Sequence, residues 1–463
     1  MTEVQLFFAI SLPWLSGALI ICLLCSFANE KLPKSTIVGY GYLLGMVTVT
    51  LIMRVLPLTS SVISAAMSVL CAGCIVLLRN RRAVHQPLSI TSRQLTNVRF
   101  DWSQIVQFAM LGVLAFHLYL MTINLLLKPL FAWDAWATWS VKARTWFELK
   151  QKVSFVSQAT WLENADPSLH VLDAWHYPDT APLIQTWVAI MINRWDESLV
   201  NLPWLFCLIA LGAGFYGQLK RLEIPALSKT TGLYLIISVP LINTHVALAG
   251  YADLWLCTAY TFAMLALIEY LITHSIAQLG LAMLSAMCVA LIKTEGVVLL
   301  LTVIPLLLVI RMPSAVLKKV MIICCISLVL MGTFVVAYSP IELNIPYLGK
   351  FFIAYHSVWD AVITNYLALP SWHLLIYLVI VGLMIASFAK SVSSQQRKLI
   401  LIPALVLFGY LFVLFFLTQN YTWAEKYSSI NRITLHLLPS IVFCLFLIFD
   451  KRFQNRHMLS QVT

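Results

Sequence analysis

Apolar residues recur in this chain in runs of about 20, the length of α-helix that crosses the hydrocarbon core of a bilayer. Thirteen runs are read as spans, at residues 4–27, 36–56, 60–78, 103–127, 199–219, 231–249, 251–271, 276–292, 296–310, 317–338, 372–389, 399–418 and 431–449. Between them no polar block is long enough to fold alone. The expected class is therefore an all-α polytopic membrane protein, not a pair of soluble domains. Hydrophobic residues make up 61% of the chain and charged residues 11%, against about 25% charged in a soluble domain. The ten cysteines lie within or at the edges of the apolar runs, so even the Cys71/Cys74 CxxC reads as helix packing.

The net charge of +11 does not point to nucleic acid, because the basic residues sit at helix ends and in short loops. Lys and Arg concentrate in the cytoplasmic loops of membrane proteins. The segment with Arg79, Arg81, Arg82, Arg93 and Arg99 is placed there. So are the loops holding Lys220 and Arg221, Arg311 to Lys319, and Lys390 to Lys398, and the tail from Lys451. These sides agree only if residues 181–193 do not cross. That stretch is too short to span and is expected to form an interfacial helix. The N-terminus is then outside and the C-terminus cytoplasmic. Arg54, near an outer helix end, stands against the pattern. The expected organisation has three N-terminal spans and a basic loop over 1–102. A transmembrane core follows over 103–450, with outer loops at 128–197 and 339–371, and then a cytoplasmic tail over 451–463.

Chemistry concentrates in the first outer loop. It opens with FAWDAWATWSVKARTWFELK, and eight of the fifteen tryptophans lie between Trp133 and Trp195. Tryptophan anchors helices at membrane interfaces. This density also suits a platform for the C–H faces of a sugar or for an isoprenoid tail. Trp136, Trp139 and Trp146 are spaced to share a helix face, with Trp133 just ahead of them. Asp134 reads either as the N-cap of the following helix or as a general base at the membrane surface. Lys142 and Arg144 are outer-side cations suited to a phosphate, Arg giving bidentate hydrogen bonds and Lys a point charge. Ordinary anionic lipid headgroups would serve them as well.

The same loop closes with DAWHYPDTAPLIQTW, where Pro178 fixes an extended turn bracketed by His176, Tyr177 and Asp179. His176 and Asp179 are candidates for a second acid/base pair or for two metal ligands. Two ligands do not define a metal site, so a divalent metal stays open and no other cofactor is indicated. GYADL puts Asp253 at the outer start of a span, and KTEG puts Lys293 and Glu295 in a short outer turn. Ionisable residues at such positions are costly and often functional, although Lys293 and Glu295 also suffice to neutralise each other. SSINRITLHLLP puts Arg432 at the outer start of the last span, as a second candidate phosphate ligand.

In the order and common side of WDAWATWSVKAR, HYPDTAPL, GYADL and IKTEG, the chain resembles the C-type (GT-C) integral-membrane glycosyltransferases. The likeness is to the bacterial branch related to protein O-mannosyltransferases and the lipid A aminoarabinose transferase. It covers roughly residues 103–449, and the three N-terminal spans have no counterpart in the simplest members. The resemblance implies a GT-C-like fold in a bacterial inner membrane. It also implies a polyprenyl-phosphate-linked sugar donor, and a glycan, lipid or protein acceptor on the outer side. The reaction would be an inverting displacement, with the first-loop acid, similar in position to Asp134, as base. Many relatives carry a second acid beside the first. Here Ala135 follows Asp134, and Asp179 or Asp253 is expected to supply that carboxylate. Lys142, Arg144 or Arg432 would stabilise the leaving phosphate. Two rivals stand beside this reading. A polysaccharide polymerase or ligase uses the same kind of donor. A lipid-linked-sugar flippase or transporter would instead place ionisable residues near the bilayer midplane and break helices in matched halves.

Overall fold

The computed structural model describes residues 2–59, 68, 71–73, 75, 101–164, 166–310, 312–338, 340–345, 349–389 and 392–449. The expected span at 60–78 lies almost wholly outside these residues, as do the basic segment 79–100 and the tail 451–463. The described chain is mostly helical. Seven of its helices are long and apolar enough to cross a membrane, or eight if one bent pair counts as a span. The chain divides into two units, Met1–Ser238 with Ile242–Val297, and Val239–Leu241 with Val298–Thr463.

The first unit begins with α1 (Thr2–Ala28) and α2 (Lys34–Val55), then α3 (Trp102–Leu127). The long loop holds a π-helical turn (Ala135–Ser140), α4 (Val141–Leu149), β1 (Phe155–Val156), α5 (Gln158–Glu163), β2 (His170–Val171) and α6 (Thr180–Ile192). After it come α7 (Leu202–Arg221), α8 (Ala226–Ile237), α9 (Pro240–Ala247), α10 (Asp253–Thr273) and α11 (Ile276–Ile292). The α1 and α2 backbones touch where glycine leaves room. A Cβ on Gly45 would stand 1.7 Å from the Pro13 carbonyl oxygen, and one on Gly17 1.9 Å from that of Gly41. Small residues give membrane helices this close approach.

These N-terminal helices are integral to the unit. The Trp187 indole donates to the Ala9 carbonyl at 2.7 Å, the Tyr42 hydroxyl to that of Pro203 at 3.3 Å, and the Tyr40 hydroxyl to that of Phe262 at 2.9 Å. The boundary between the two compact units falls near Val297. At the end away from the long loop, Arg221 bridges Glu30 (3.0 Å) and the buried Glu269, and Gln218 and Gln278 exchange amide hydrogen bonds.

Three readings of the apolar runs change. α6 is not an amphipathic surface helix, since every residue from Thr180 to Ile192 except Met191 is buried. A helix apolar all round buries itself in protein, and this one packs among α1, α2 and α4. The run 231–249 is two helices bent by 55°, broken where Pro240 lacks an N–H and biases Val239 towards extended backbone. The run 296–310 is also two short helices, α12 (Thr294–Leu301) and α13 (Val303–Ile310). Pro305 cannot donate to the Leu301 carbonyl, and the ladder breaks there.

The second unit holds α14 (Ser314–Tyr338), an antiparallel hairpin of β3 (Ile341–Ile345) and β4 (Gly349–Ile353), α15 (Trp359–Ile363) and a second π-turn (Thr364–Ala368). It continues with α16 (Leu375–Phe388), α17 (Ser394–Phe416), α18 (Tyr421–Glu425) and α19 (Ile430–Phe449). Val358, Leu411, Phe415, Phe416 and Ile430 form one apolar core. The Trp372 indole donates to Asn431 at 3.0 Å, tying the loop before α16 to the start of α19.

Candidate functional site

α3 delivers the chain to Trp133 and Asp134, and the next turn is π-helical. The wider turn separates the tryptophans expected on one face. Trp136 is exposed and stands edge-on to exposed Trp133 at 4.6 Å, while Trp139 and Trp146 are buried. π-turns often mark functional sites. Asp134 is half-buried, and Ala135 after it is fully buried.

The reason for alanine at 135 lies across the unit. Gly250, with φ +103°, would place a Cβ 2.6 Å from the Ala135 side chain. Glycine at 250 leaves room for the buried Ala135 side chain. Gly250→Ala is expected to cost at least about 2 kcal/mol, through left-handed backbone strain and overpacking. A fall in the melting temperature of the detergent-purified protein would show it, and an unchanged value would contradict it.

Lys142 is 3% exposed. Its ammonium donates to the Trp175 carbonyl (3.0 Å), the Tyr177 carbonyl (3.0 Å) and Asp179 Oδ1 (3.2 Å). It pins the HYPD segment onto α4. Arg144, two residues on, faces away and is more than half exposed, 3.9 Å from Glu197. The two cations expected to act together on a phosphate therefore point in different directions.

Tyr177 links this pair to a second one. Its hydroxyl donates to Glu295 Oε1 at 3.3 Å, and its ring lies 5.0 Å from Trp139 and 4.7 Å from His176. Lys293 reaches Asp253 at 3.1 Å and Glu295 at 3.4 Å. Asp253 is 1% exposed at the first turn of α10, where the helix dipole favours an anion. Buried and paired, Asp253 suits positioning better than proton transfer. Asp179 keeps 44% of its side chain exposed. Arg432 lies on the second unit, at the start of α19. Among the described residues no group of three or more His, Cys, Asp or Glu is placed to hold a metal ion.

An open pocket of about 420 Å³ lies beside Asp179. Its charged lining is Arg54, Lys142, Lys152 and Asp179, and its wall includes Trp146, Phe155 and Trp175. Arg54 Nη2 donates to the Thr180 hydroxyl at 2.9 Å, and Lys152 donates to the Arg54 carbonyl. No protein family, curated protein or solved structure matches the chain. Neither Arg54 nor Lys152 lies in a motif that marks it as a ligand. Arg54 carries a signal, as an exception to the expected distribution of Lys and Arg among the loops. Lys152 carries none, since it meets Arg54 across 98 residues of chain.

Proposed function

We propose that this protein is a membrane glycosyltransferase of the GT-C type. It would move a sugar from a polyprenyl-phosphate donor to a glycan, lipid or protein acceptor. The pocket carries the reading: three cations, one carboxylate and an aromatic wall, on the unit that holds Asp134. Cations suit a phosphate, and aromatic faces suit a sugar or an isoprenoid. On this reading the acceptor oxygen attacks the anomeric carbon as the bond to the phosphate oxygen breaks, inverting that centre. Asp134 takes the acceptor proton. The polyprenyl phosphate leaves with two negative charges, stabilised by Arg54 and Lys152. Lys142 and Lys293 position the loops around it. On this reading this end of the unit faces the outer side of a bacterial inner membrane, which the gathering of Lys and Arg in the other loops supports.

Asp134→Asn is expected to lower transfer about 10²–10⁴-fold. The check is mass spectrometry of envelope glycans and glycolipids from a deletion strain carrying either form at equal membrane level. Wild type should restore a missing sugar and the variant should not. If both restore it, Asp134 is not the base. A flippase is the second reading, favoured by the bent α8–α9 pair, where Asn243 meets His117 at 2.6 Å. In detergent, with no two sides to connect, a flippase transfers no sugar to an added acceptor.

A further inference from the structure

We infer that the first turns of α17 hold the phosphate of an anionic phospholipid, through Gln396, Arg397 and Lys398. The site lies in the second unit and takes no part in sugar transfer.

α17 opens with SQQRKLILIP, and Ser393 and Gln396 close its N-terminus in a capping box. The N-terminal end of a helix carries partial positive charge and favours an anion. Here Arg397 and Lys398 stand near that end, and the first turn has no acid. Among the described residues neither cation is in an ion pair. The helix dipole and the two side chains therefore add in sign.

Two carbonyls answer part of this charge. Arg397 Nη2 donates to the Ala389 carbonyl at 2.6 Å, and the Lys398 ammonium donates to the Met312 carbonyl. Ala389 closes α16 and Met312 follows the end of α13, and helix C-termini favour a cation. Capping of this kind leaves other donors over. Arg397 Nε and Gln396 Nε2 are buried with no hydrogen-bond partner. Gln396 is 2% exposed. Its Oε1 accepts from the Ser393 N–H at 2.8 Å, which fixes the amide, and Nε2 with it, at the start of the helix. Both unmatched groups are donors, and a buried donor without an acceptor is costly. Ser393 and Ser394 beside them are exposed and Arg397 is half-buried, so the turn is open on one side. A phosphate supplies negative charge and several acceptor oxygens together.

The surroundings set the source of that phosphate. Phe388 and Ile385 in the last turn of α16 are exposed, as are Leu405 and Phe408 further along α17. They offer acyl chains an apolar surface running from the same end. The loop from Lys390 to Lys398 is expected on the cytoplasmic side. Anionic lipids are enriched in that leaflet, and basic pockets between membrane helices there bind lipid headgroups.

The test is native mass spectrometry of the full chain in detergent, with the melting temperature followed in parallel. The probes are dioleoyl-phosphatidylglycerol, dioleoyl-phosphatidylcholine and inorganic phosphate. Phosphatidylglycerol is expected to bind about tenfold more tightly than phosphatidylcholine and to raise the melting temperature more. Arg397→Gln and Lys398→Gln should each weaken it about fivefold and shrink that rise. Lys398→Arg keeps the charge and should retain most of the binding. Lys229→Gln, which removes a cation lying over Tyr216 in the first unit, should change nothing. If Arg397 and Lys398 only cap α16 and α13, their glutamine variants will melt lower without lipid yet keep the full phosphatidylglycerol preference, and the inference is overturned. Equal binding of the two lipids also overturns it. A rise given by inorganic phosphate, lost in the same variants and unaccompanied by a lipid preference, would overturn the lipid and assign the site to free phosphate.

Discussion

Lys293→Met is expected to destabilise the protein by about 3–5 kcal/mol, because it removes the ammonium paired with the buried Asp253 carboxylate. Asp253 is 1% exposed and forms an ion pair with Lys293 at 3.1 Å. The reverse change, Asp253→Asn, should cost less. Lys293 would keep Glu295 at 3.4 Å, and that carboxylate is partly exposed. The double variant should therefore be more stable than the sum of the two single changes implies, which is the mark of a coupled pair. Thermal unfolding of the purified protein in detergent decides it. Strict additivity, or a melting temperature unmoved by Lys293→Met, would show that the pair is not a buried bridge.

Lys142→Met should act locally and strongly. Its three donors end on two carbonyls of the 173–179 segment and on Asp179, and hydrogen bonds to a charged group contribute about 1.5–3 kcal/mol each. Asp179 is half-exposed, so water recovers part of the loss there. A net cost of about 2–4 kcal/mol is expected, concentrated in the segment that Lys142 holds. Hydrogen exchange should then rise sharply over residues 173–179 and little in α10. Arg144→Met, on an exposed side chain with a 3.9 Å partner, should fall within about 0.5 kcal/mol of wild type. Equal exchange in the two variants would remove Lys142 from its structural role.

Much of the architecture is legible in the residues. Apolar runs of spanning length become helices because the backbone must satisfy its own hydrogen bonds away from water. Helix breaks were less legible. Pro240 and Pro305 each sit inside a continuous apolar run, and hydropathy does not register a missing N–H. The separation of Trp136 from Trp139 was also hidden, because periodicity assumes 3.6 residues per turn and the chain takes a π-turn there. The motif segments themselves do meet. HYPD, GYADL and KTEG are joined through Tyr177, Glu295, Lys293 and Asp253, and the Asp134 turn packs on Gly250 through Ala135.

By itself the sequence determined the class, the position of most helices and the four segments where charge collects, because hydrophobic length and local spacing are properties of short stretches. Only the tertiary structure decided which charges are spent and which face the pocket. Lys142 and Arg144 look alike in sequence, and one is buried on three acceptors while the other faces outward. Arg54 stands out in sequence only as an exception to the charge pattern and Lys152 not at all, and the two line the same pocket. Pairing of this kind depends on contacts across about a hundred residues of chain, and no local pattern encodes which distant partner a cation will meet.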